Sequence, residues 1–501
     1  MTRAPHRRQG LSPQHWLLIV FAISRVLYFA AGIRFDIRPL DHNFQIVDPL
    51  LMKTRLLETL FYLHTQPPGF NLLIGVIVKI FPAYAAVILD ALYMACGASL
   101  CWSLFGLMRI LQVRTAVAFT LTALFICSPG VVLFENYLMY EYPIMALLCA
   151  SAVILHSLIE RPTFRVASLF FFVLTIMMYI RAVFQLEWLV LLVALLAWLM
   201  KGHRKMILSA AALPLALVLA LYVKNEIVFG TFSTSTWLGF NADTITLHQL
   251  TPEEHEKLIA AGLVSTVGRI PSMEPLSAFR GIEPPAAPTE IPVLDQLEDS
   301  TGRVNYNNIG YLPLHAYYVH DARAIILHYP KAYLRSVVRA AFTYFLPSGD
   351  FPFFDQNGPH IESFDRIFNI VFFGQWKTAP NRKDLRAIEA QGGSLQLPLY
   401  TGTYLLLGLP ALFCFGLIQA WRAFRLSAEL SSSAMVLAYV LFQIAYITAI
   451  VSLLSCFENN RYRLPIDPFF VALLGLAIER VIRAFQSRSG QTSPTSALRA
   501  A

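Results

Sequence analysis

Most residues able to do chemistry in this 501-residue chain gather in three short stretches. The first holds Arg34, Asp36, Arg38, Asp41, His42 and Asp48, then His64-Thr-Gln66-Pro-Pro-Gly69. The second, Glu135-Asn-Tyr137-Leu-Met-Tyr140-Glu141-Tyr-Pro143, carries two carboxylates and three tyrosines. The third is Glu458-Asn-Asn-Arg461-Tyr-Arg463-Leu-Pro465. Each lies beside an apolar run. A carboxylate next to hydrocarbon costs free energy and marks a cavity, an ion or a substrate path. An arginine there either snorkels to lipid headgroups or binds phosphate through charge-assisted hydrogen bonds. Arg181, alone between two apolar runs, invites the same phosphate reading. Simpler roles compete. Asp48-Pro49 has the form of an N-cap followed by proline at the first helical position. His64 and Gln66 precede a double proline and could cap the helix it opens, and interfacial tyrosines serve as aromatic-belt anchors.

The elements that position these residues are apolar helices. The chain is 56% hydrophobic and 14% charged, with a mean hydropathy of +0.56, an excess that requires lipid. Apolar runs of near-bilayer length recur, and a helix satisfies its own backbone while crossing hydrocarbon. The expected fold is an all-α polytopic membrane protein with about ten transmembrane helices. Basic clusters at Arg3–Arg8, Arg109–Arg114, Arg161–Arg165, Lys201–Lys205, Arg422–Arg425 and Arg480–Arg488 mark the cytoplasmic side. Placing them together predicts spans near 15–33, 86–108, 115–131, 139–159, 166–180, 186–200, 206–224, 402–421, 433–455 and 465–484, with both termini cytoplasmic, as in a bacterial inner membrane. The run 70–81 is too short to cross and reads as a half-span or surface helix. The first run is expected to remain as a helix rather than be cleaved as a signal peptide, with Arg25 its one charge.

This divides the chain into an N-terminal membrane module (1–224) with outer loops 34–66 and 135–142, a large outer segment (225–400), final membrane helices (401–485) and a disordered cytoplasmic tail (486–501). The outer segment is too long for a structureless loop. It reads as a mixed domain with a Pro-rich linker near 282–292 and helices near 317–328 and 330–345. The net charge of +8 resides in the span-flanking clusters, which argues for topology and against nucleic acid. Six cysteines lie in or beside apolar runs without disulfide or zinc spacing.

Together, an N-terminal span, an acidic first loop, the His64-x-Gln66-Pro-Pro element, an acidic second loop and the Arg461-Tyr-Arg463-Leu-Pro entrance resemble the GT-C superfamily of membrane glycosyltransferases. The pattern is most similar to protein O-mannosyltransferases and lipid A aminoarabinose transferases. The resemblance spans most of the membrane part and leaves 225–400 unmatched. It implies transfer of a sugar from a polyprenyl phosphate donor to an outer-face acceptor, usually with inversion. A first-loop aspartate would then be the general base, with Asp48 preferred because it opens the helix leading to His64, Asp36 second and Asp41 third. The departing phosphate gains charge and needs preorganised donors: His64, Gln66, Arg181, Arg461 and Arg463. Glu135, Tyr137, Tyr140, Glu141 and Glu458 would lie near the acceptor, or near a divalent metal ion of the kind some relatives use, with Glu135 and Glu141 as oxygen ligands. Family members carry an Asp-Glu pair in the first loop; here each aspartate is followed by another residue. A multi-span transporter or a lipid-carrier-binding protein without transferase activity is the alternative. A transporter would carry ionisable groups at mid-bilayer and matching halves, whereas no internal repeat occurs and the acids gather at the outer ends, except Asp90 within the second span.

Overall fold

Proline at the first helical turn fixes where many helices start, because its missing N–H falls where the backbone has no partner anyway. The computed structural model describes residues 11–284, 286–351, 353–377, 400–426, 431–455 and 458–490. The cluster at Arg3, Arg7 and Arg8, Cys456, and the tail beyond 490 lie outside those residues. The chain begins with α1 (Pro13–Ala30), then the short helices α2 (Pro39–His42), α3 (Pro49–Thr54) and α4 (Leu56–Phe61) of the first loop. The membrane module continues with α5 (Pro68–Ile80), α6 (Ala85–Ile110), α7 (Thr115–Ile126), α8 (Pro129–Glu135), α9 (Glu141–Glu160), α10 (Phe164–Ile180), α11 (Leu186–Leu199) and α12 (Arg204–Phe229). The outer segment holds α13 (Leu238–Ile245), α14 (Pro252–Ala260), α15 (Pro292–Asp295), α16 (Tyr311–His328), α17 (Pro330–Tyr344) and α18 (Gly358–Phe368), the last extended by a π-helical turn over Asn369–Phe373. The chain closes with α19 (Thr403–Leu426), α20 (Ser432–Leu454), α21 (Asn459–Arg463) and α22 (Asp467–Gly490).

Among the described residues, six spans are long and apolar enough to cross a bilayer: Pro13–Ala30, Pro82–Ile110, Glu141–Glu160, Lys201–Phe229, Thr403–Arg425 and Ser432–Leu454. The protein is therefore a multi-pass helical membrane protein. The predicted span 115–131 is instead two helices, α7 and α8, bent by 58° at Ser128-Pro129; proline disfavours helix before it and cannot donate within it. Helices α5, α10 and α11 are apolar but span only 13, 17 and 14 residues, and α22 carries Asp467, Glu479, Arg480 and Arg483. The outer segment, expected to be mixed, contains helices and turns and no strand among the described residues; its one isolated bridge pairs Glu298 with Val304.

One apolar core runs through the membrane helices and into the outer segment at Val293, Leu294, Tyr344, Phe351 and Phe354. A second core, with Phe240, Leu258, Phe279, Tyr318 and Ile325, belongs to the outer segment alone. Gly97 of α6 marks a close crossing, since a Cβ there would lie 2.6 Å from Tyr142 Oη of α9 and 2.7 Å from the Phe21 ring of α1. One turn away, Arg25 meets Glu135 at the end of α8 (Nε–Oε1 2.7 Å, Nη2–Oε2 2.5 Å), and Tyr142 donates to the same carboxylate. The bend at Pro129 brings Glu135 to the lone charge of α1. At the opposite end of the bundle, Arg114 donates to Glu479 (2.9 Å), which Arg483 also engages, so two of the basic clusters lie together.

Breaking one partner of a buried pair strands the other charge, at about 3–5 kcal/mol. Arg25→Met is expected to lower the unfolding temperature in detergent sharply, and Arg25→Met/Glu135→Met to recover much of the loss. A single variant as stable as wild type would show that this pair does not hold the α1–α8 packing.

Candidate active site

The first loop is fastened to the second by backbone. Asp36 N–H donates to Asn136 O (2.9 Å) and Leu138 N–H to Asp36 O (3.1 Å), a parallel bridge between Asp36 and Tyr137. The Asp36 carboxylate is buried, and Arg38 orients it by donating from its backbone (3.0 Å), Nε (2.9 Å) and Nη2 (2.7 Å). Asp36 lines a cavity of about 190 Å³ with Arg38, Tyr137, Asp355, Glu458 and Arg461.

A cationic centre adjoins it. Arg181 leaves the end of α10 in extended conformation, and Arg461 projects from α21. Both are buried, at 4% and 3% exposure, around a Glu141 that is fully buried. Glu141 Oε1 lies 3.6 Å from Arg181 Nη2 and 3.2 Å from Arg461 Nε. These are ion-pair distances without hydrogen-bond alignment: both Glu141 oxygens, Arg181 Nη2 and Arg461 Nε are buried with no hydrogen-bond partner among the described residues. A native interior rarely leaves four charged atoms so. The Tyr462 ring stands between the guanidiniums, 4.6 Å from Arg181 and 4.9 Å from Arg461, and Tyr140 lies 5.1 Å from Arg181. Glu458 pairs with Arg461 at 3.2 Å. Arg181 opens on a second cavity, of about 320 Å³, whose walls combine Gln66, Tyr140 and Trp237 with the apolar Ile450, Val451 and Leu454 of α20.

The double-proline element sets this centre indirectly. Pro67 and Pro68 start α5, and Gly69 lets it meet the end of α10 that carries Arg181: a Cβ on Gly69 would lie 2.6 Å from Tyr179 O. In the third motif, Asn459 donates to Val451 O and Ser455 O, closing the end of α20, while Asn460 donates to Pro347 O and Asp350 O. Both anchor Arg461 from either side.

Other expected site residues stand elsewhere. Asp48 caps α3 through Leu50 N–H (2.8 Å) and accepts from the backbone (3.1 Å) and hydroxyl of Ser300, which joins it to the outer segment, and it lines neither of these two cavities. Asp41 is exposed on α2, outside both cavities. His64 is buried with both ring nitrogens engaged, by Thr236 Oγ1 (2.9 Å) and Asn307 O (3.0 Å). Burial pushes it down to about 3, so it stays neutral and offers a phosphate no charge. Arg463 donates to Tyr344 O, Leu346 O (3.0 Å), Ser348 Oγ (3.1 Å) and Asp467 Oδ1 (2.9 Å), which consumes its fork. Glu135 is committed to Arg25. Among the described residues no three His, Cys, Asp or Glu side chains converge, and Glu135 and Glu141, the carboxylates expected as ligands to a divalent metal ion, each lie beside arginine.

Residues not singled out from sequence also contribute. Gln45 accepts from Tyr140 Oη (2.6 Å) and lines the second cavity. Asn307 accepts from His64 N–H (2.8 Å) and donates to Tyr62 O (3.0 Å). The Asn-rich run 305–308 was the available signal of a turn. Comparison with family models, with curated proteins and with solved structures yields no match to this chain.

Asp48→Ala is expected to cost about 1 kcal/mol of stability through the lost cap. For His64, the unfolded ring takes up a proton near its ordinary 6.5 but the folded one only near 3. Its contribution is present above that ordinary value and lost as pH falls toward 3. His64→Asn should flatten the unfolding temperature's decline across this window; an unchanged slope would contradict the assignment.

Proposed function

We propose that the chain is a GT-C-like membrane glycosyltransferase that moves a sugar from a polyprenyl-phosphate donor to an acceptor hydroxyl on the side of the bundle holding the three motifs. The observation that carries the reading is the pairing of two cavities across Arg461-Tyr462. One presents a carboxylate, and the other presents a buried arginine whose Nη2 has no hydrogen-bond partner among the described residues, beside an apolar wall. An amphiphilic donor needs both halves of the second: hydrocarbon contact for its tail and donors for its phosphate.

In this reading Asp36 takes the proton of the acceptor hydroxyl as its oxygen bonds to the anomeric carbon. The bond from that carbon to the phosphate oxygen breaks, and its electron pair leaves with the phosphate. The base and the phosphate contacts lie on opposite faces of the sugar, as in inverting glycoside hydrolysis. Arg181 and Arg461 meet the charge that grows on the phosphate, in a site where low dielectric strengthens them. Glu141 holds the two guanidiniums together. Tyr137 and Glu458 face the acceptor side; Gln66 and Tyr140 face the donor side. The acceptor hydroxyl belongs to a glycan, a lipid or a protein.

The reading also places about ten spans across a bacterial inner membrane, counting the bent α7–α8 pair, α10, α11 and α22. Both termini are then cytoplasmic and residues 225–400 periplasmic, with membrane lipids around the bundle.

Sugar transfer from short-chain polyprenyl phosphate sugars to membrane extracts tests this. Asp36→Asn is expected to lower kcat about 10²–10⁴-fold with donor binding kept, and Arg181→Gln to lose about 10²–10³-fold. Asp48→Asn should keep most activity. Loss in Asp48→Asn but not Asp36→Asn would overturn the choice of base, and a wild-type protein that consumes no such donor would overturn the transferase reading.

A further inference from the structure

The helical stretch from α18 through its π-turn has three faces. Ile361 and Asn369 are buried against the bundle, and Glu362 and Arg366 are exposed. Phe364, Ile367 and Val371 form a third face at 48%, 61% and 59% exposure, and Trp376 follows at 68%. A free-standing stripe of this kind at helical spacing requires an apolar neighbour.

Its position in the fold identifies the neighbour. At one end, His360 sits on Gly32, just past α1, where a Cβ would lie 2.7 Å from its Nδ1, and the Tyr28 ring of α1 is 6.4 Å from Phe364. At the other end, Thr403 N–H, opening α19, donates to Gly374 O (3.2 Å), and a Cβ on Gly402 would lie 2.7 Å from Phe373 O. The segment therefore bridges the ends of two candidate spans, on the same side as Asp36. The end of α1 continues the stripe through the exposed Val26, Leu27 and Phe29, and α19 does so through Tyr404 and Leu407. Height along the spans and continuity with their apolar surfaces both put this stripe at the edge of the hydrocarbon.

We propose that residues 358–373, with Trp376, lie in the bilayer interface as an amphipathic anchor, their apolar face among acyl chains and Glu362 and Arg366 among headgroups. The exposed charges of the segment are mixed in sign, so anionic lipid is not needed. The anchor has a structural consequence at the site: Asn357, immediately before it, donates to Arg34 O (2.8 Å) and Asn136 O (3.2 Å), and Phe353 and Asp355 wall the Asp36 cavity. Seating 358–373 in lipid fixes that wall against the first two loops. The proposal stands on the fold and is independent of sugar transfer.

The test uses full-length protein in phosphatidylcholine nanodiscs, in a cysteine-free background that keeps wild-type thermal unfolding, with nitroxides on Phe364→Cys, Val371→Cys, Glu362→Cys or Arg366→Cys. Collision with molecular oxygen should exceed collision with a water-soluble nickel chelate at 364 and 371, and the order should reverse at 362 and 366. Nickel reaching all four sites alike would overturn the proposal, as would exclusion of both reagents from 364 and 371, the outcome for a face covered by a second copy. Without engineered cysteines, brominated lipid should quench the emission difference between wild type and Trp376→Phe; no quenching would likewise overturn it.

Discussion

Charge taken out of water must find charge or donors inside, and in this protein that requirement organises the end of the bundle where the three motifs meet. Arg25–Glu135 and Arg463–Asp467 are the satisfied cases: each guanidinium spends its donors on carboxylate, hydroxyl or carbonyl oxygens, and each ties distant elements together. Arg181–Glu141–Arg461 is the unsatisfied case. The three side chains are as deeply buried as the others, yet four of their polar atoms have no hydrogen-bond partner among the described residues. Desolvation without full pairing is expensive. Tyr462 stands between the arginines, and both cavities adjoin the triad. An anion entering the Arg181 cavity would supply what the protein withholds.

The outer segment acts as a clamp on the first loop rather than as a detached domain. Ser300 bonds Asp48, Arg303 donates to Asn43 O (2.5 Å), and Asn307 engages Tyr62 and His64. These contacts bracket Phe44 and Gln45, whose side chains line the cavities beside Asp36 and Arg181. Trp237, from the same segment, stacks on Phe44 with ring centroids 5.4 Å apart. Site geometry therefore depends on 225–309 as much as on the membrane helices.

How much of this was legible in sequence depended on range. The membrane class, the helices near 317–328 and 330–345 and the cap form of Asp48-Pro49 follow from local composition and spacing, and the structure contains them. The meeting of the second and third motifs at Glu141 was legible as a shared end of apolar runs. The division of labour between neighbours was not. Arg461 and Arg463 are two residues apart, which on a helix turns their side chains about 200° from each other, so one faces Glu141 and the other the carbonyls after α17. Asp36 and Asp48 look equivalent in a loop until the bridge to Tyr137 frames one and Ser300 occupies the other, and both partners are about 100 residues or more away in sequence. The break of the 115–131 run was carried by one proline, which hydropathy averaging over a span conceals.

Binding of a polyprenyl monophosphate in nanodiscs, followed by native mass spectrometry, tests the central claim that the buried arginine centre awaits a lipid-borne phosphate. The account expects saturable binding that needs both the phosphate and the tail, so that neither the matching polyprenol nor inorganic phosphate competes well, and that is lost in Arg181→Gln while the variant's unfolding temperature holds. Equal binding of the polyprenol, or full binding by Arg181→Gln, would contradict it.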